Sequence, residues 1–292
     1  MLHDRIIAEG IVAADRVLDP VAATDDLLHL VHTADYVHRL STGTLDATAV
    51  RRLGFPWSAA LVERSRRTVG GTIAAARHAL ANGVAMNLSG GTHHAFPDHG
   101  EGFCVFNDVG ITLRLLQRDG AIRRAVVIDL DVHQGNGTHA IFAGDDSVFT
   151  FSMHGARNYP FKPMPEPAEF ATSATSWGYA LRVPGTLDIE LPDDTGDAKY
   201  LASLEEALPR VLHAAQPDLV VYLAGADPHE GDRLGRMKLT FAGLERRDAL
   251  VLQACREVGL PVVVTIAGGY GWAIEDTVAI HLATARLAAA SG

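Results

Sequence analysis

The apolar run Ala125-Val126-Val127-Ile128 passes without a break into Asp129-Leu130-Asp131-Val132-His133-Gln134-Gly135-Asn136-Gly137. A buried strand ending in alternating Asp, Asp and His is costly, because polar and charged groups at a strand tip need strong partners. A divalent metal ion is the natural partner. Asp131 and His133 stand two apart, so on an extended strand their side chains point the same way. A carboxylate oxygen with an imidazole nitrogen suits zinc or a similar borderline ion. The glycines that follow let the backbone turn tightly and approach a ligand.

Around this tip, strand and helix patterns alternate. Helical spacing covers 58–82 and stops at Asn82-Gly83, and Val84-Ala85-Met86 reads as a short strand. Asp108 is expected to cap a helix running to Gln117, closed by Asp119-Gly120. Strands are expected at 125–130, 148–152, 219–223 and 262–266, with helices at 197–215, 240–258 and 275–290. The fold class this predicts is α/β: a parallel sheet with helices on both faces. At 292 residues and 48% hydrophobic, the chain can bury one large core, so residues 1–292 read as a single domain.

In such sheets ligands sit at the carboxyl ends of strands. Five tips carry polar clusters: Ser89-Gly90-Gly91-Thr92-His93-His94, Asp129 to His133, Ser152-Met153-His154, Ala224-Gly225-Ala226-Asp227 and Ala267-Gly268-Gly269-Tyr270. Any one could be an ordinary turn, but five together point to a shared active site. Asp131, His133 and Asp227 would give a metal three protein ligands and leave positions open for water and substrate. Alone, Asp227 would read as a loop or cap carboxylate, but it follows its strand in the same place as Asp131. His93 and His94 could transfer protons if a partner orients each ring, and Asp129 and Asn136 are the candidates; otherwise the pair is a chance polar pair or a weak metal site. Tyr270 could aim a hydroxyl at an oxyanion, or be an ordinary half-buried tyrosine. Phe103, flanked by Gly102, and Tyr159, followed by Pro160, would suit an apolar channel for an alkyl chain, with core packing as the alternative. Residues 154–196 form a long Pro-rich connection, expected to wall the pocket.

Composition removes several function classes. The 25 Lys+Arg against 35 Asp+Glu give a formal net charge of -10 without a basic run, which argues against direct nucleic-acid binding. No apolar stretch approaches a membrane span, and the N-terminus does not read as a signal peptide. Cys104 and Cys255 form no disulfide framework, which fits a reducing cytoplasm.

The motifs Gly90-Gly91-Thr92-His93-His94-Ala95, Gly102-Phe103-Cys104-Val105-Phe106-Asn107-Asp108, Asp129 to Gly137, Ala224-Gly225-Ala226-Asp227 and Gly268-Gly269-Tyr270 occur in the order found in zinc-dependent histone deacetylases. From about residue 20 to 285 the chain resembles that family and its arginase/deacetylase fold, and Gln134 with Gly231-Asp232-Arg233-Leu234-Gly235 is most similar to the class IV branch and its bacterial relatives. The resemblance implies one catalytic zinc ion on Asp131, His133 and Asp227. It implies His93 and His94 as the proton-transfer pair, with His94 the base, Asp129 behind His93, Asn136 behind His94, and Tyr270 polarising the carbonyl. It implies a structural potassium ion held by Asp129, Asp131, His133, Ser152 and Met153, with a second alkali-ion site near Phe142 and Val148. Gly102, Phe103, Tyr159 and Gly268 would line the substrate channel.

Two departures stand out. Members of that family usually carry a strand and a loop before the position that matches Met1, including a basic residue near the foot of the pocket, and by this resemblance both are expected to be missing here. The rim segment Gly54-Phe55-Pro56-Trp57 lacks the Asp that grips a peptide backbone in several eukaryotic members. The expected reaction is removal of an acyl group from an Nε-acyl-lysine of a protein or peptide. Alternatives are a deacetylase of small acyl amines such as polyamines, a two-manganese ureohydrolase, and a non-catalytic acyl-ligand binding module. Gln134 and Asn136 supply none of the extra carboxylates that a second manganese needs.

Overall fold

The computed structural model describes residues 1–161 and 181–292. Among them, six strands form one parallel sheet: β1 (Val84–Asn87), β2 (Ala125–Asp129), β3 (Val148–Gly155), β4 (Leu187–Leu191), β5 (Leu219–Leu223) and β6 (Val262–Thr265). Their order is β1-β6-β5-β2-β3-β4. β2, β5 and β6 are buried along their whole length, which is why they read as unbroken apolar runs rather than alternating ones.

The pleat divides those runs between two cores. Val126, Ile128, Val220 and Val264 face the Asp197–Ala215 and Phe241–Glu257 helices through Leu204, Leu208, Leu244 and Val251. Val127, Val221 and Val263 face the Ala59–Asn82 and Asp108–Arg118 helices through Ala76, Ala79, Val109 and Leu113. The chain builds outward from β2 to β3 and β4, then returns to the other side of β2 for β5 and β6. The strand order therefore reverses between β2 and β5, and a ligand crevice is expected at their carboxyl ends.

Three readings need correction. Asp108 does not cap its helix. Asn107 does, accepting from the Gly110 N–H at 2.8 Å, while the buried Asp108 carboxylate accepts from the Gly91 and Thr92 N–H groups and ties the His93-His94 loop to the helix start. Within 154–196, β3 continues to Gly155 and β4 forms an edge strand; residues 162–180 lie outside the described residues. β2 ends at Asp129, so Asp131 and His133 are not on an extended strand.

Beneath the switch point lies a charged pair with no access to solvent. Arg247 donates to Asp248 from Nε at 2.8 Å, and from a terminal nitrogen to the carbonyls of Gly225 (2.6 Å) and Leu130 (3.3 Å). Those carbonyls belong to the two segments that carry Asp227 and Asp131. Removing one partner of a buried pair strands the other charge. Arg247→Met is therefore expected to cost about 3–5 kcal/mol of stability, read by urea unfolding of the metal-free protein. A midpoint equal to that of the wild type would contradict this role.

Candidate active site

Two carboxylates and an imidazole converge where β2 and β5 end. One ligand atom from each of Asp131, His133 and Asp227 lies within 4.8 Å of the others. Asp131 and His133 meet through a turn rather than strand alternation: Asp131 Oδ1 accepts from the His133 N–H at 2.9 Å and faces His133 Nδ1 at the same distance. Asp131 Oδ2 accepts from the Gly268 N–H at 2.7 Å, and Asp227 Oδ1 accepts from the Val132 N–H at 2.9 Å. Three strand ends are thus laced around one point.

The donor set fits a divalent cation. Asp131 and Asp227 are both buried, and among the described residues no hydrogen bond reaches Asp227 Oδ2. His133 Nδ1 lies 3.2 Å from that oxygen but closer to Asp131, and it can point one proton at only one of them. Burial, then the neighbouring Asp131 charge, push the Asp227 carboxyl above the usual carboxylate range. Side-by-side buried carboxylates with an unsatisfied oxygen need positive charge. Two acids and one histidine leave coordination positions open, the pattern of catalytic zinc sites.

Gly268 closes this cradle. A Cβ built there would stand 2.1 Å from Asp227 Oδ2 and 2.5 Å from Asp131 Oδ2. Gly268→Ala is expected to drive the two carboxylates apart and lower zinc affinity at least ~10-fold with the fold intact, as loss of a group orienting metal ligands does. Zinc titration would read the change, and wild-type affinity would contradict the close approach.

The two adjacent histidines have opposite environments. His93 donates from Nδ1 to Asp129 Oδ2 at 2.7 Å. Burial pulls its pKa down, but the Asp129 and Asp131 charges prevail and hold it up at about 9. His94 instead donates from Nδ1 to the amide oxygen of Asn136 at 2.7 Å. With no charge behind it, burial and the His93 charge depress its pKa well below the usual histidine value. A neutral imidazole thus sits beside a charged one, their ring centres 4.1 Å apart. Environments that push two titratable groups apart in this way assign one to each proton-transfer role.

The remaining expected residues divide between pocket and rim. Tyr270 is half-buried, and burial lifts its phenol to about 12, so it keeps a proton to donate at neutral pH. Phe103 is 40% exposed, with its ring 5.5 Å from Tyr270 and 5.2 Å from Phe55, so it stands at the mouth rather than in the core. Gly102 lies against the His94 ring, which a Cβ would meet at 2.5 Å. Tyr159, in the described part of the long connection, packs edge-on against His94 at 4.8 Å. Asp129 pairs in register with Ser152 on β3, followed by the buried Met153; the Ser152 hydroxyl lies 3.0 Å from His154 Nδ1.

Sequence reasoning missed Glu101, which is fully buried behind Asn136. It missed Arg247 as well. The only cue to Glu101 was an acid between two glycines, close to Phe103.

Known proteins match this arrangement along nearly the whole chain. The profile of the family described as "Histone deacetylase domain" matches residues 1–285. An uncharacterized protein of Picosynechococcus sp. is 43% identical over 281 residues, covering 96% of this chain and 87% of that one. Histone deacetylase 2 of Arabidopsis thaliana is 32% identical over 272 residues, covering 91% of this chain and 66% of that one. A probable deacetylase of Archaeoglobus fulgidus is 32% identical over 280 residues, covering 91% of this chain and 73% of that one. A crystal structure of an HDAC homolog complexed with SAHA superposes with a TM-score of 0.78 at 26% identity, covering 98% of this chain and 76% of that chain.

Proposed function

The chain belongs to the histone deacetylase family, and on that premise we propose that it is a zinc-dependent amidohydrolase that removes acyl groups from Nε-acyl-lysine. The observation that carries this reading is the buried Asp131, His133 and Asp227 triad beside two histidines of opposite basicity. Zinc held there would polarise the amide carbonyl and lower the pKa of a water towards ~7.

The chain's own residues supply the rest. The bare Nε2 of His94 takes a proton from the attacking water, since its Nδ1–H is committed to Asn136. The Tyr270 hydroxyl donates to the oxygen that becomes negative at the former carbonyl. The protonated His93, backed by Asp129, keeps positive charge beside the reaction and can return a proton to the leaving amine. Phe103 and Tyr159 flank the acyl-lysine stem and exclude water. Tyr270→Phe removes only the donor and is expected to lower kcat at least ~10²-fold with the metal retained. Wild-type kcat in that variant would remove Tyr270 from the reaction.

The same proposal places a structural potassium ion on Asp129, Asp131, His133, Ser152 and Met153, at the adjoining ends of β2 and β3. No helix among the described residues is long and apolar enough to cross a membrane. Two buried free cysteines fit action in a reducing cytoplasm.

A second reading, action on small acyl amines, draws on the rim. Phe55 and Trp57 bring no carboxylate there, and the Trp57 indole N–H is spent on the Leu40 carbonyl at 2.7 Å. Lysine peptides carrying acetyl through myristoyl groups, run beside acetylated polyamines with and without a chelator, separate the two. Chelator-sensitive turnover of acyl-lysine peptides is expected. Turnover of polyamines alone would favour the second reading, and saturable binding without turnover in zinc-replete protein would overturn both.

A further inference from the structure

Glu101 is a carboxylate sealed from solvent, and such a group is costly unless its oxygens are used. Its Oε1 accepts from Asn136 Nδ2 at 2.9 Å and from the Tyr159 hydroxyl at 2.6 Å. Its Oε2 lies 3.5 Å from His99 Nε2. We propose that Glu101 is the positioning residue of this site: through Asn136 it fixes which nitrogen of His94 is free to accept a proton, and through Tyr159 it fixes the channel wall beside that nitrogen.

The side-chain amide of Asn136 has two unlike faces. Asn136 could turn either its oxygen or its NH2 group towards His94. Both protons of that NH2 are engaged, one on Glu101 Oε1 and the other on the Leu181 carbonyl, each at 2.9 Å. The oxygen therefore faces His94, where it can only accept, so Nδ1 carries the hydrogen and Nε2 is bare. A turned amide would reverse the tautomer and leave Nε2 protonated, useless as a base. It would also set the amide oxygen against Glu101 Oε1, two acceptors with no proton between them. The carboxylate thus locks the amide, and the amide locks the ring.

The same oxygen sets a second contact. With its hydroxyl held by Glu101, the Tyr159 ring stands edge-on to His94 at 4.8 Å and to His133 at 6.4 Å. Gly102, the next residue, has a φ of +56° and brings the backbone against the His94 ring. One short segment thereby holds the base at its hydrogen-bonded edge and at its face.

The proposal deepens the deacylase reading and rests on it only for the turnover assay. The test uses the zinc-loaded full chain as wild type, Glu101→Ala, Glu101→Gln, Asn136→Ala and the Glu101→Ala/Asn136→Ala double variant. Glu101→Ala is expected to lower kcat ~10–100-fold, the usual cost of losing an outer partner, with one zinc ion retained. Glu101→Gln should recover most of that loss, because its carbonyl oxygen can accept from the same two donors. In the Asn136→Ala background the loss should shrink several-fold, because the path to the His94 tautomer is already cut and only the contact through Tyr159 remains. Histidine 15N NMR, with His94 assigned by its alanine variant, should show the Nδ1–H tautomer in the wild type and a mixture in Glu101→Ala. An equal loss in the Asn136→Ala background, or no rescue by glutamine, would overturn the proposal. A wild-type His94 protonated at Nε2 would overturn it without any variant, even if Glu101→Ala failed to fold. Absence of wild-type turnover on every acyl amine would sink the functional reading instead, and the tautomer measurement would still decide the role of Glu101.

Discussion

Asp227→Asn is expected to strip the site of its zinc and its turnover while leaving the metal-free protein as stable as before, or more so. The two effects have opposite signs because Asp227 serves two states differently. In the metal-free fold it is a buried carboxylate beside another, its pKa raised by burial and by Asp131. Asparagine keeps the oxygen that accepts from the Val132 N–H and removes the repelling charge. In the proposed zinc-loaded state the lost charge would be one of the ion's three protein ligands. Loss of an orienting group behind a ligand costs 10–100-fold in metal affinity, so loss of the ligand charge should cost at least ~100-fold. Equilibrium dialysis against zinc and urea unfolding of the metal-free protein give the two readouts. Retention of one tightly bound ion with normal turnover would contradict the assignment, and a large loss of metal-free stability would show Asp227 to be a structural group.

His94→Ala is the second large effect. It leaves the Asp131, His133 and Asp227 cluster untouched and removes the imidazole beside it that burial keeps neutral. General base catalysis by such a ring contributes ~10²–10⁴-fold, and that is the expected fall in kcat, with zinc content unchanged. His93 cannot substitute, because Asp129 holds it protonated. Near-normal turnover in zinc-loaded His94→Ala would mean that the proton goes elsewhere.

The sequence announced the sheet and its tips because burial on both faces leaves a plain signature. The runs at 125–129, 219–223 and 262–265 have no polar residue to spare until they reach the strand ends. It misled where a local rule met tertiary demand. Asp108 looks like a cap, but its carboxylate is drawn to the Gly91 and Thr92 N–H groups, and Asn107 next to it takes the capping role. Asp131 and His133 converge as expected but by a turn, since Asp131 Oδ1 captures the His133 N–H just past the strand. β4 carried a readable alternation in Leu187-Asp188-Ile189-Glu190-Leu191, hidden inside a segment dominated by prolines and short polar stretches. Glu101 showed only as an acid between two glycines, and Arg247 was not legible at all. Each acts on residues far away in the chain, Asn136 and Tyr159 for one, Leu130 and Gly225 for the other, and no spacing rule reports such contacts.

The most direct test of the metal-centred reading is a zinc titration of chelator-stripped protein, followed by deacylation of an acyl-lysine peptide. Activity rising linearly to a break at one equivalent per chain, with X-ray anomalous signal among Asp131, His133 and Asp227, is the expected result. Full turnover before any zinc is added, or an ion bound elsewhere while those three side chains stay apart, would contradict it.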